Sequence, residues 1–545
     1  MKPTLSAVAL AIAAFASTAG AQTLTTGPST STTPYSQGVL AGFDITSILT
    51  TGDAVGGYRM GGVPDGLGAF DNGNGTFTVL MNHEIPNNLG VIRAHGGVGA
   101  YVSQWVIDKN TLAVTSGSDL IQRVYGWNSA SQSVGAQLTG SALSFQRFCS
   151  ADLAATSAFS FKAADGTVYG TTNRLFLNGE EVGTSANSRA LAHVVTGTDA
   201  GSSYVLGKFN TSTNGSTISN AATSFASYEN LLANPISQLK TVIIGNNDGG
   251  TGVLSNALAV YVGTKQTTGN DVERAGLTNG TLKFVNVTGN TAEIVNSTTR
   301  ATNIGGGAGT RFTLSDSAST SFSRPEDGAW SADGKTYYFV TTDQLDKTNL
   351  AGGTQKGATR LWSLSFDDIS NPDAGGVVKL LIDGGSYAGG VGKEKPNMFD
   401  NISVNKDGTI TLLEDTGNAE HNGKIWQYNP ATGEAKVIAK SDALRFGDIS
   451  AAGVFTAGTL TKDEETSGII DVTDILGRND GKSYQLFVFQ NHAVATGANA
   501  TELVEGGQLL LLSRDPVTAV PEPTTYGLML GGLGLLGAVA RRRKA

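Results

Sequence analysis

Carboxylates standing at the ends of apolar runs are the residues of this chain best suited to chemistry. Leu412-Leu413-Glu414-Asp415 carries two acids straight out of an apolar stretch. Comparable points are His83 and Glu84, Glu180 and Glu181, Glu326 and Asp327, Asp400 with Asn401, Glu464 and Glu465, and Asn491 with His492. Any single pair reads equally well as a solvated turn, as Asp367-Asp368 does. Gathered round one cavity, such acids would repel strongly unless cations neutralised them. Hard carboxylate oxygens suit calcium, whereas Cys and His ligands add a softer transition metal. Cys149 is the single cysteine, so it closes no internal disulfide. By base rate it is a small buried hydrophobe, and its acidic company points instead to a metal ligand. No His-Glu-x-x-His zinc spacing and no Gly-x-Ser-x-Gly elbow is present.

Remote acids can share a cavity only if the fold brings many strand ends together. Gly is 72 of 545 residues and charged residues are 15%, a mixture for short strands and tight turns rather than a helical bundle. A loose unit recurs: Asn-Gly or Asp-Gly, a few β-prone residues, then a polar or acidic stop. Copies begin at Asn74-Gly75, Asp165-Gly166, Asp333-Gly334 and Asp407-Gly408. Asp-Gly favours two-residue hairpin turns because Gly accepts positive φ without steric cost. Aromatic second strands follow at Leu361-Trp362 and Ile425-Trp426. The expectation is an all-β chain, a β-propeller of about six blades with loop insertions, with a large β-sandwich as the alternative. Residues 263–320 read as insertions or a side loop region, and residues 23–40 as a leader outside the core. In a propeller, the strand ends of successive blades converge on the central channel. The formal charge of −9 argues against nucleic acid as a partner.

The ordered set of these pieces resembles the PhoX family of secreted alkaline phosphatases. The pieces are Val63-Pro64-Asp65-Gly66, Asn82-His83-Glu84, Cys149, Glu180-Glu181, Arg324-Pro325-Glu326-Asp327-Gly328, Pro396 to Ile402, Asp407-Gly408 and Glu414-Asp415. The likeness spans about residues 55–430. It implies a propeller phosphomonoesterase whose central site holds calcium together with iron. By the resemblance, Cys149 ligates iron, and Glu84, Glu180, Glu181, Glu326, Asp327, Asp400, Glu414 and Asp415 are metal-ligand candidates. Arg324 holds the substrate phosphate with its planar fork of donors, and Glu326 joins it as a catalytic candidate. The competing expectation is a non-catalytic, calcium-stabilised propeller of the cell surface or exopolysaccharide matrix. A third is a calcium-dependent esterase or lactonase.

Both ends of the chain read as addresses. Lys2, an apolar run from Leu5 to about Phe15, and Ala19-Gly20-Ala21 form a secretory signal over residues 1–21. No twin-arginine pair precedes the run, which points to the general secretory route. Val520-Pro521-Glu522-Pro523, an apolar stretch over 526–540 and Arg541-Arg542-Arg543-Lys544 close the chain. The basic block would stay cytoplasmic by the positive-inside rule. This order resembles the PEP-CTERM sorting tail of Gram-negative bacteria, which implies an exosortase-type enzyme as partner. The resemblance implies a cell-surface, outer-membrane or extracellular destination, with membrane contact only through 520–545. The working domain is then 22–519.

Overall fold

The computed structural model describes residues 25–182, 188–216, 221–305, 307–343, 357–387, 395–450 and 454–516. The expected signal peptide and the apolar stretch 526–540 lie outside these residues. Among the described residues, no helix is long and apolar enough to cross a membrane.

The protein is a six-bladed β-propeller. Each blade is an antiparallel meander that runs outward from the channel. Blade one is Pro64–Asp71, Thr76–His83, Tyr101–Asp108 and Val114–Asp119. Blade two runs Ala151–Asp152, Leu175–Gly179, Ala190–Val194 and Ser202–Val205, with Arg123–Asn128 and Ser133–Gln137 added at its outer edge. Blade three is Tyr228–Ala233, Lys240–Asn247, Leu258–Thr264 and Thr281–Val287. Blade four is Pro325–Trp330, Thr336–Thr341, Arg360–Phe366 and Gly376–Asp383. Strand Thr310–Ser315 pairs with the outer strands of both, fusing blades three and four into one nine-stranded sheet. Blade five is Phe399–Val404, Ile410–Glu414, Lys424–Asn429 and Glu434–Ser441. Blade six takes Glu464–Asp471, Ser483–Asn491 and Gly506–Arg514 from the end of the chain and Phe43–Thr50 from its beginning.

The innermost strands pack against one another in sequence order, and that of blade six returns to that of blade one, closing the ring. The hydrophobic core is divided in the same way, into clusters that each lie between two neighbouring blades. Leu175, Ala192, Tyr228 and Ile243 join blades two and three, whereas Val242, Ile244, Phe339 and Trp362 join three and four. Ile243 and Val242 therefore point to opposite faces of one strand, as the two-residue period requires. Burial on both faces explains apolar runs such as Val242-Ile243-Ile244, where half-exposed strands would alternate.

The Asn-Gly and Asp-Gly turns behave as their residues dictate. Gly75, Gly334 and Gly408 have φ of 86°, 63° and 80° and join inner to second strands in blades one, four and five. Asp165-Gly166 instead closes a small extra hairpin, Ser160–Lys162 with Val168–Gly170. Two expectations need correction. Residues 23–40 do not lie outside the core: Ser36–Gly38 pairs with Glu434–Ser441, and Tyr35 packs edge-on to Phe446 and Phe489. Likewise 263–320 is not wholly insertion, because Thr281–Val287 is the outer strand of blade three.

Candidate metal centre

One local motif is repeated round the channel. Val63, Arg147, Arg324 and Met398 all have positive φ, of 49°, 39°, 58° and 52°. Each stands two residues ahead of a polar side chain: Asp65, Cys149, Glu326 and Asp400. Left-handed backbone costs a non-glycine residue about 1–2 kcal/mol, so four such residues at equivalent places mark a shared constraint. The constraint is visible in the hydrogen bonds. The Val63 carbonyl accepts from the N–H of Glu84 at 2.8 Å, Arg147 from Glu181 at 3.1 Å, Arg324 from Thr342 at 3.1 Å and Met398 from Asp415 at 3.0 Å. Asp463 accepts from His492 at 3.2 Å in blade six. The turn thus ties the start of the innermost strand to the end of the second strand in blades one, two, four, five and six.

The result is two stacked tiers. The deeper tier, from blade one to blade six, is Asp65, Cys149, Glu229, Glu326, Asp400 and Glu465. The tier nearer the mouth is Glu84, Glu181, Asp248, Thr342, Asp415 and His492. A layer of neutral polar groups lies below the acids. Ser467 donates to Asp65 at 2.7 Å, Asn401 to Asp400 at 2.5 Å, and the Ser150 N–H to Glu229 at 3.1 Å. The inner strands lie so close that a Cβ on Gly66 would sit 2.4 Å from the Ala151 nitrogen.

Burial, and then mutual repulsion, set the charges. Asp65, Glu229, Glu326 and Asp400 are pushed well above the carboxylate range by desolvation and by neighbouring carboxylates. Burial lifts Glu465 to about 7 and Glu181 to about 8. The Cys149 thiol is raised by burial and by Glu229, Glu84 and Glu181. Glu84 is held low despite burial, because Arg147 and Gln490 face it. His492 is held charged, against its own burial, by Glu465 and Glu505.

Cys149 is the hinge of the arrangement. Ligand atoms of Asp65, Glu84 and Cys149 all lie within 4.8 Å of one another, and those of Cys149, Glu181 and Glu229 do likewise. One thiol thus serves two adjoining three-ligand groups. A raised thiol is a poor nucleophile, so the chelator-treated native protein should react with iodoacetamide at pH 8 at least about tenfold more slowly than the unfolded chain. Mass spectrometry of the alkylated cysteine checks this; equal rates would contradict the buried placement.

Of the residues singled out in the sequence, Glu84, Cys149, Glu181, Glu326, Asp400, Asp415, Glu465 and His492 lie in the tiers, and Arg324 lies beside them. Arg324 pairs with Asp248 at 2.5 Å and Glu326 at 3.0 Å, and its buried Nη1 has no hydrogen-bond partner among the described residues. Five others point elsewhere, since successive side chains of an extended chain alternate. Glu180 pairs with Arg189 at 2.6 Å. Asp327 accepts from Asn230 and from the Gly328 N–H, and lines a cavity of about 310 Å³ that it shares with Asp152. Glu414 meets Lys424 at 2.9 Å and the Trp426 indole at 2.8 Å. His83 is bound between the Gly62 carbonyl and Ser103, and Glu464 accepts from the Gly423 N–H. Sequence reasoning missed Glu229, Asp248 and Arg147, and took Asp65 only as part of a motif. Five of the six deeper-tier residues directly follow a Pro or an aromatic residue: Pro64-Asp65, Phe148-Cys149, Tyr228-Glu229, Pro325-Glu326 and Phe399-Asp400; Glu465 follows Glu464.

Comparison with known proteins adds an address and little chemistry. No curated protein sequence matches the chain. Among solved structures, the chain is similar to a periplasmic gluconolactonase of Pseudomonas aeruginosa at 10% identity and TM-score 0.32, covering 83% of this chain and 85% of that one. It is similar to a Trypanosoma rangeli sialidase at 10% identity and TM-score 0.32, over 92% and 61%. These likenesses are too distant to bear on activity. Residues 519–544 match the PEP-CTERM protein-sorting motif. The chain is therefore an exported, cell-surface-targeted propeller, with a tail of the kind recognised by an exosortase-type sorting enzyme.

Proposed function

We propose that this propeller is an exported, metal-dependent phosphomonoesterase of the kind its sequence resembles, the PhoX phosphatases. The observation that carries the reading is Cys149 set between two groups of carboxylates, with a half-buried arginine beside them. Buried acids in such number are costly alone, and among the described residues the Glu326 Oε1 atom meets only the Arg324 guanidinium, at 3.0 Å. That cost fits oxygen-ligated cations. Asp65, Glu84, Asp400, Asp415 and Glu465 offer hard ligands suited to calcium. Cys149, with Glu181 and Glu229, offers a softer pocket suited to iron. Bound cations would polarise a phosphoryl group and stabilise the departing oxygen. The protein's own part is orientation: Arg324 Nη1 is a donor with no other engagement, on a guanidinium whose fork matches phosphate geometry.

Metal analysis of the purified protein together with turnover of a chromogenic phosphomonoester tests the reading. Arg324→Ala should lower kcat/KM at least about 100-fold, the usual loss on removing a charge-stabilising donor, with an unchanged circular dichroism spectrum. An unaffected rate would remove Arg324 from the mechanism. Full calcium occupancy without turnover would favour the second reading, a calcium-stabilised surface propeller, which the sorting tail also suits.

A further inference from the structure

Arg147 and Arg324 occupy one structural place in two different blades. Both precede a deeper-tier ligand by two residues, both have positive φ, and both carbonyls accept from the second strand. Val63 and Met398 fill the same place in blades one and five, so the backbone does not call for arginine there. What the arginines contribute is their side chains. Arg147 donates from Nε to Glu84 at 2.8 Å and pairs through Nη2 with Glu181. Arg324 bridges Asp248 and Glu326. Arg147 pairs with Glu181 directly, and the charge of Glu181 also acts on Arg324. Arg147 also keeps 42% of its side chain exposed, toward the mouth.

We propose that Arg147 is a second oxyanion-binding residue, forming with Arg324 a pincer for a phosphoryl dianion, and that both arginines act as internal counter-ions until cations arrive. The proposal rests on the phosphatase reading. Each guanidinium now bridges two carboxylates that a divalent cation would also engage. A cation would compete with the arginines for these oxygens, and its binding would free guanidinium donors for another anion. Two planar forks converging on one site suit the tetrahedral oxygens of a phosphomonoester better than any carboxylate-bearing substrate, which offers one plane only.

Calorimetry on the chelator-treated, exported protein separates the two roles. For Arg147→Ala, removal of a competing cation should tighten calcium binding at least about fivefold. With calcium saturating, binding of phenylphosphonate, a non-hydrolysable dianion, should weaken at least about tenfold. Shifts of opposite sign are the signature, because a merely structural role would weaken both and lower Tm. Arg147→Lys should return calcium affinity to wild type while recovering phenylphosphonate affinity only partly, since an ammonium lacks the fork. Unchanged phenylphosphonate affinity in Arg147→Ala would overturn the pincer, and unchanged or weaker calcium binding would overturn the counter-ion role. Wild-type protein that binds calcium but not phenylphosphonate would instead overturn the phosphatase reading itself.

Discussion

Chelator-treated protein should melt at a lower temperature at pH 8.5 than at pH 6.5, by about 5 °C or more, and calcium should abolish most of the difference. The sign follows from the deeper tier. Asp65, Glu229, Glu326 and Asp400 have raised pKa values, as do Glu465, at about 7, and Glu181, at about 8. A carboxyl raised on folding contributes stability that is complete below its unfolded value near 4 and is lost as pH climbs through its folded value. Asp152 and Asp327, each lifted by burial to about 7, add the same slope away from the centre. His83, His193 and His421 oppose it: burial holds each at about 3, so they cost stability as pH falls below 6.5. A window starting at pH 6.5 excludes them. Calcium at 100 times its dissociation constant adds about 2.7 kcal/mol per site, and it does so mainly where the acids are ionised. Differential scanning calorimetry at the two pH values checks the result. A chelated protein more stable at pH 8.5, or indifferent to calcium there, would mean the tiers are not a cation site.

Removing residues 22–50 should abolish folding altogether. Phe43–Thr50 lies on Gly506–Arg514 over its whole length, from Phe43 opposite Arg514 to Thr50 opposite Gln508. Phe43, Ile45, Ile48, Leu49 and, just upstream, Tyr35 are buried. At about 1.5–3 kcal/mol for each buried side chain, their loss alone approaches the 5–15 kcal/mol that stabilises a typical fold. The exposed edge of Gly506–Arg514 would also invite aggregation. The milder Ile48→Asp, which buries an unpaired charge between blades six and one, should destabilise by about 4 kcal/mol or more. Soluble yield and circular dichroism report the first, denaturant unfolding the second. A truncated protein that melts cooperatively near the wild-type temperature would refute this account of ring closure.

The turns were readable because Asp-Gly and Asn-Gly carry their conformation locally. Ring closure was not: the partner of Phe43–Thr50 lies at the other end of the chain, and nothing in residues 23–40 advertises it. The acidic centre was half readable. Glu180 and Glu181, or Glu414 and Asp415, are indistinguishable as letters; the alternation of an extended chain and the pairing of Glu180 with Arg189 and Glu414 with Lys424 decide which faces the channel. Glu229 and Asp248 stayed hidden because neither belongs to a doubled acid, and the Tyr228 ahead of Glu229 gains meaning only when the inner strands are set side by side. Arg147 escaped notice because its relation to Arg324 is a backbone equivalence, which similar letters cannot reveal.

Ring closure also sets an order of events in time. On the general secretory route expected from residues 1–21, a chain threading outward from its N-terminus would present Phe43–Thr50 first, while the strand that must hold it, Gly506–Arg514, would arrive last. Until then the first strand waits without its neighbour, and blades one to five form an open arc. Both tiers draw on blade six, through Glu465 and His492, so the acids meet only when translocation is nearly done. The cations would then be taken up on the far side of the membrane, as the final act of a fold that cannot finish early.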